Sequence, residues 1–114
     1  MVEINAGLEK RFLNLLFKHR ECLDKSIDKI QPDMFIIDKS YWLYKKLEEY
    51  YIKYLALPSK GIVKSFVNEF DTDSILKNEY FIFIKSVWLD EADKSEYDYL
   101  YDILKKRLYH KRLQ

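Results

Sequence analysis

The sequence contains few of the residues on which nucleotide-binding and cysteine-based sites depend. Among its 114 residues there are two glycines and one cysteine. Phosphate-cradling and dinucleotide-binding loops need several closely spaced glycines, because glycine lets backbone N–H groups converge on an anion. Cys22 alone cannot form an internal disulfide or a cysteine-built metal site, and it is compatible with a reducing cytosol. We therefore expect a cytoplasmic protein whose chain binds no nucleotide or other cofactor.

Metal ligands and catalytic side chains are also scarce and scattered. His19 and His110 lie far apart, and neither is followed three or four positions later by a carboxylate or a second histidine. Adjacent carboxylates such as Glu48 and Glu49 point about 100° apart on a helix, so they do not converge on a substrate. For Cys22 a buried apolar role is favoured over a nucleophilic one. The sequence predicts no metal site and no catalytic residue.

Positive and negative charges almost cancel. The chain has 20 Lys+Arg and 19 Asp+Glu, a formal net charge of +1, so no overall field draws it to nucleic acid or to anionic lipid. The longest uninterrupted apolar run, Tyr80 to Ile84, is far shorter than the ~20 residues that span a bilayer. The first residues do not resemble a signal peptide. We expect a soluble protein with no membrane partner, and any contact with DNA must be local.

Hydrophobic residues make up 48% of the chain, and they recur at the spacing of amphipathic helices. This pattern predicts an all-α fold, a compact bundle of about six helices. Pro32 ends the second helix, Ser59 caps the fourth, and Asp71, Thr72 and Asp73 supply a turn and the N-cap of the fifth. The third helix is predicted from about Ser40 to Ala56, the fifth from about Asp73 to Leu89, and the last from a cap at Ser95.

We expect residues 1–114 to form a single helical domain, since no repeat, low-complexity stretch or Pro/Gly/Ser-rich linker divides them. Within it, about residues 1–70 are expected to form a globular four-helix part. About residues 73–112 are expected to form an antiparallel helical hairpin that leads to a linker, because a short polar turn separates two long helices.

The fifth helix is predicted to be apolar on two sides. One face carries Leu76, Tyr80, Phe83, Ile84 and Val87, and another carries Ile75, Ile82 and Leu89. Such a helix packs either entirely within the core or between the core and a partner; a third interpretation makes Tyr80 to Ile84 a strand. If the last two helices mediate self-association, the candidate contacts are Ile75, Ile82, Trp88, Leu89, Tyr97 and Tyr101.

Basic residues crowd the C-terminal end of the last predicted helix, which begins with acidic residues. An acidic first turn and a basic last turn complement the helix dipole, which explains the arrangement without a ligand. The alternative is a patch that contacts nucleic-acid phosphates. Its candidate residues are Lys105, Lys106, Arg107, Lys111 and Arg112.

The order of the predicted elements resembles the N-terminal domain of DnaB-type replicative helicases. In that family a leucine-rich helix and a short helix lead to a Pro-Asp/Glu-x-Phe turn and then to a long helix. Here the corresponding segments are LEKRFLNLLFKHRECLDKSIDKI (Leu8 to Ile30), QPDMF (Gln31 to Phe35) and SYWLYKKLEEYYIKYL (Ser40 to Leu55). PSKGIVKSFVNEF (Pro58 to Phe70) resembles the family's small fourth helix, and Ile75 to Leu108 resembles its closing hairpin.

The chain also departs from that family. It lacks the small-residue pattern common in the first helix of bacterial members, and its third helix holds unusually many tyrosines. Both features would fit a divergent relative, for example one encoded by a phage and present in the cytoplasm of the infected host.

The resemblance implies an architectural role without catalysis in this chain. Domains of that family pair with one another, form a collar on the motor ring, and dock primase and the helicase loader. ATP hydrolysis and the main DNA contact belong to a C-terminal motor, and residues 105–114 would lead into the linker to it. The alternative from the residues themselves is a free-standing helical regulatory or nucleic-acid-binding protein that uses its C-terminal basic cluster. Its affinity for DNA should fall steeply with salt.

Overall fold

The computed structural model describes the backbone of residues 6–112 and the side chains of residues 7–109. Within that range the chain forms six α-helices and no strand. They are α1 (Ala6–Lys18), α2 (Arg20–Ser26), α3 (Asp38–Tyr54), α4 (Lys60–Ser65), α5 (Ser74–Leu89) and α6 (Tyr97–Arg112). Short 3-10 turns occupy Pro32–Met34, Phe66–Phe70 and Lys94–Glu96. The all-α prediction is confirmed, and residues 80–84 are helical rather than a strand.

Side-chain caps set three of the helix starts. The Ser59 hydroxyl accepts a hydrogen bond from the Ile62 N–H (3.3 Å), and the Asp73 carboxylate accepts one from the Leu76 N–H (2.9 Å), both as the sequence predicts. The predicted cap at Ser95 is wrong. Asp93 instead caps the 3-10 turn that leads into α6, since its carboxylate accepts from the Ser95 N–H (2.8 Å) while its own N–H donates to Glu96 (2.7 Å).

Helix α1 is the centre of the hydrophobic core. Its residues Phe12, Leu13, Leu15 and Leu16 are completely buried, and it packs against α2, α3, α5 and α6. The buried side chains form one cluster that draws on residues both before and after position 70. The four-helix part and the last two helices therefore share a core.

The expected hairpin of α5 and α6 is open. Each helix packs on α1, and the two have few direct contacts with each other. The connection between them is tied to α1, because the Arg11 guanidinium lies 2.9 Å from Asp90 and 2.6 Å from Glu96. These ion pairs hold the connection against α1, which a short polar turn in the sequence does not reveal.

A buried ion pair joins α1, α6 and the segment before α3. Arg107 Nη1 lies 2.6 Å from Glu9 Oε2, and the two side chains are 5% and 1% exposed. Glu9 also accepts hydrogen bonds from the N–H groups of Ile36 (2.9 Å) and Ile37 (3.3 Å). A charge this deeply buried is tolerated only when it is paired and hydrogen-bonded. The pair therefore fixes how three separate parts of the chain meet.

Because of the buried phenol of Tyr44, the free energy of unfolding depends on pH in the alkaline range. Its hydroxyl donates to Glu48 (2.8 Å), and burial, followed by that hydrogen bond and the Glu48 charge, raises the pKa of Tyr44 above its usual value. The unfolded chain then releases this proton first, near pH 10. Stability is present in full below that pH and is lost as the pH rises, at up to about 1.4 kcal/mol per pH unit for one proton.

We expect Tyr44→Phe to reduce this alkaline loss. Its free energy of unfolding, measured by urea titration between pH 8 and pH 11, should fall less steeply than that of the wild type. Tyr99→Phe, at a side chain that is 69% exposed, controls for the removal of a phenol as such. Equal slopes for Tyr44→Phe and the wild type would contradict the effect.

Candidate interaction surface

Three large aliphatic side chains form a line along the outer face of α5. Ile75, Ile82 and Leu89 are 74%, 57% and 78% exposed, and they recur every seven residues. Two helical turns separate successive members, so the three stay on nearly one side of the helix. We name this line the α5 stripe; at 1.5 Å per residue it is about 21 Å long.

The opposite face of α5 fixes the direction in which the stripe points. Phe83, Ile84 and Val87 are buried, and the helix packs on α1 and on the 3-10 turn at Phe66–Phe70. The sequence prediction that α5 is apolar on two sides, with one side in the core, is confirmed. The other side is covered by nothing in the described part of the chain, and a partner could bury it.

Asn14 anchors the C-terminal end of α5 and was missed in the sequence. It is 1% exposed. Its side-chain N–H donates to the Val87 carbonyl (3.0 Å), and its amide oxygen accepts from the Ala92 N–H (3.3 Å). These bonds satisfy backbone groups at the end of the helix. The available signal was a lone amide in the apolar run Phe12–Phe17.

The residues that flank the α5 stripe are mixed in charge. Asn78, Glu79 and Lys85 are exposed, and Ser86 is half-buried. One negative and one positive side chain cancel, so the face as a whole has no charge with which to repel a second copy of itself. An aliphatic line with neutral surroundings is self-complementary, as a two-fold interface requires.

The other predicted self-association residues lie elsewhere. Tyr97 is 5% exposed, and its hydroxyl lies 2.7 Å from the Ser26 hydroxyl, so it belongs to the core rather than to an interface. Tyr101 stacks on Tyr97 with ring centroids 5.8 Å apart. Trp88 packs against Phe17 of α1 at 5.6 Å. These three rings were assigned from residue type, whereas packing turns them inward.

A second group of exposed apolar residues lies at the end of α3. Ile52, Tyr54 and Leu55 are 55–66% exposed, and Leu55 ends the helix in the left-handed conformation (φ 55°). The members span about one helical turn, roughly 5 Å. The longer α5 stripe offers a partner helix more contacts.

The C-terminal basic cluster is smaller than the sequence suggests. Lys105 and Lys106 are exposed, but Arg107 is buried against Glu9. The prediction that Arg107 contacts phosphate is therefore wrong, since the guanidinium faces the protein interior. The side chains of Lys111 and Arg112 lie outside the described residues.

Potential metal ligands are not clustered in the described residues. No group of three His, Cys, Asp or Glu side chains there is close enough to hold a metal ion. Cys22 is buried, and burial raises the pKa of its thiol, which disfavours the nucleophilic thiolate. No helix in the described range is long and apolar enough to cross a membrane.

Comparisons of the chain with protein-family models, with curated proteins and with solved structures give no match.

Proposed function

We propose that this chain is a non-catalytic protein-interaction domain that associates with itself through the α5 stripe. The observation that carries the proposal is the alignment of Ile75, Ile82 and Leu89, all more than half exposed on one line of a helix whose other face is core. Exposed apolar residues arranged contiguously mark interaction sites more often than scattered ones do. A two-fold pair of copies would bury the same three residues from each.

The expected affinity follows from the size of the stripe. Complete burial of an Ile or Leu side chain contributes about 1.5–3 kcal/mol, and the three residues are still 57–78% exposed in one copy. Six such side chains contribute about 9 kcal/mol, against about 4 kcal/mol at the lower end of the range for the association cost. The remaining ~5 kcal/mol corresponds to a dissociation constant on the order of 0.1 mM.

Sedimentation equilibrium from about 10 µM to about 1 mM tests self-association of the wild type. We expect the weight-average mass to rise from that of one chain toward that of two. A mass that stays at one chain throughout the range would contradict the proposal.

For the larger context we propose the N-terminal domain of a DnaB-like replicative helicase. There it would contribute to the N-terminal collar and dock primase or the helicase loader, and weak pairing would be strengthened by the other contacts of the ring. The support is the order and spacing of the segments from Leu8 to Phe70. The packing of α5 and α6 on α1 differs from the family's closing hairpin.

The gene that encodes the chain tests this assignment separately from self-association. We expect its reading frame to continue past Gln114 into a segment with a Gly-rich phosphate-binding loop, which the motor of that family carries. A gene that ends at Gln114 would contradict the helicase assignment and leave the α5 stripe unaffected.

A further inference from the structure

A shallow groove runs beside the α5 stripe, where α4 and the turn that follows it meet the first two turns of α5. Its volume is ≈ 340 Å³. Its lining residues are Lys64, Val67, Asn68, Ser74, Lys77, Asn78 and Phe81. Val67 is a buried floor residue, Phe81 is half-buried, and the polar members stand at the walls.

The volume of ≈ 340 Å³ limits the size of the ligand that the groove can accept. That space is large enough for one planar ring with a phosphate beside it, and it is open to solvent along its length. A ligand could therefore enter without any rearrangement of the helices.

Two lysines lie over the ring of Phe81, and a third lines the groove. Lys64 Nζ lies 5.8 Å from the ring centroid and Lys85 Nζ lies 5.0 Å from it, distances at which an ammonium group is attracted to an aromatic face. Lys77 stands in the wall of the groove, 3.4 Å from the Asp71 carboxylate. Asp71 is 73% exposed, and an exposed pair of this kind is weak, so an anion can compete for Lys77.

The remaining wall residues suit a nucleotide better than a bare anion. The side chains of Asn68 and Asn78 each offer both a hydrogen-bond donor and an acceptor, and Ser74 adds a hydroxyl. Ser74 also begins α5, where the helix dipole favours negative charge. Cations, amides and an aromatic ring together are the combination with which proteins bind single-stranded nucleic acid, phosphates on the cations and a base against the ring.

We propose that this groove binds single-stranded nucleic acid, with phosphates at Lys64 and Lys77 and a base against Phe81. This function goes beyond self-association and does not require it, because one copy of the chain carries the whole groove. Because the net charge is only +1, the attraction for phosphates comes from the lysines of the groove. This groove is a different surface from the C-terminal basic cluster.

Fluorescence anisotropy with a labelled oligothymidine of about 15 nucleotides tests the proposal at about 50 mM salt and above. We expect the logarithm of the association constant to fall linearly with the logarithm of the salt concentration. The double variant Lys64→Gln/Lys77→Gln should lower the magnitude of that slope by about 1.4, since each phosphate contact on a single strand contributes about 0.7. Phe81→Leu should weaken binding at least about fivefold while it leaves the slope unchanged.

The matched control is Lys105→Gln/Lys106→Gln, which removes two exposed lysines from the other basic surface and should leave binding unchanged. Circular dichroism confirms that each variant is folded. An oligouridine of the same length distinguishes RNA from DNA as the source of the strand, and tighter binding to either supports the site. No binding at about 50 mM salt, an equal loss in the control, or equal affinity for duplex DNA would overturn the proposal. Ile82→Ser removes the central apolar side chain of the α5 stripe without adding a charge beside the groove, and it should bind as the wild type does. A failure here is therefore separable from a failure of self-association.

Discussion

Replacement of Arg107 by methionine is expected to lower the free energy of unfolding by about 3–5 kcal/mol, the cost of breaking a buried ion pair from one side. The Glu9 carboxylate would stay buried at 1% exposure. The N–H groups of Ile36 and Ile37 would still donate to it, but they carry no full positive charge. Urea unfolding followed by circular dichroism measures the difference.

Lys106→Met is the matched control for Arg107→Met. It removes a cation at the neighbouring position, where the side chain is exposed. We therefore expect the free energy of unfolding to change by no more than about 0.5 kcal/mol. Glu9→Gln breaks the pair from the other side and removes the carboxylate that faces the buried Arg107 guanidinium, so its cost should fall in the same range. If Arg107→Met were as mild as Lys106→Met, the pair would not hold α1 and α6 together.

Replacement of Ile82 by glutamate is expected to raise the dissociation constant for self-association by at least about 30-fold. The change removes the central member of the α5 stripe from both copies and brings two carboxylates into an apolar contact. Ile82 is 57% exposed, so the folded monomer should lose little stability. Sedimentation equilibrium should find the variant monomeric at concentrations where the wild type is partly paired.

Ile52→Glu provides a closely matched control, because Ile52 is 59% exposed and also lies on a long helix. It lies on α3, away from the α5 stripe, and its effect on self-association should be small. Equal effects of the two substitutions, or no effect of either, would argue against the stripe as the interface.

Much of the fold follows from local patterns in the sequence. The two apolar faces of α5 repeat at helical spacing, and the Ser59 and Asp73 caps precede apolar runs, so both can be read without knowledge of tertiary contacts. The same periodicity predicts the exposed residues of the candidate site, which are Ile75, Ile82 and Leu89. These features depend on neighbours in the sequence, and the structure places them as expected.

The features that sequence reasoning missed depend on long-range contacts. Arg107 sits next to Lys105 and Lys106 and was grouped with them, whereas its partner Glu9 is 98 residues away. A signal was present, since Arg107 continues the apolar spacing of Leu100 and Leu104 on the buried side of α6. A charged side chain on an apolar stripe more often pairs with a buried partner than points into solvent.

The open arrangement of α5 and α6 could not be read from the turn between them. A short polar connection is typical of an antiparallel hairpin, but Arg11 and Asn14 of α1 bind this connection instead. The same packing brings Tyr97 into the core, where Phe12 stacks on it at 5.6 Å. Residue type alone had favoured an interface for this ring.

Side-chain footprinting at low and high protein concentration tests the central claim most directly. Photogenerated carbene would label exposed side chains at about 10 µM and at about 1 mM, on either side of the expected dissociation constant. We expect labelling of Ile75, Ile82 and Leu89 to fall at the higher concentration, while labelling of Ile52 and Leu55 stays constant. Unchanged labelling of the α5 stripe, or an equal fall at Ile52 and Leu55, would contradict the account.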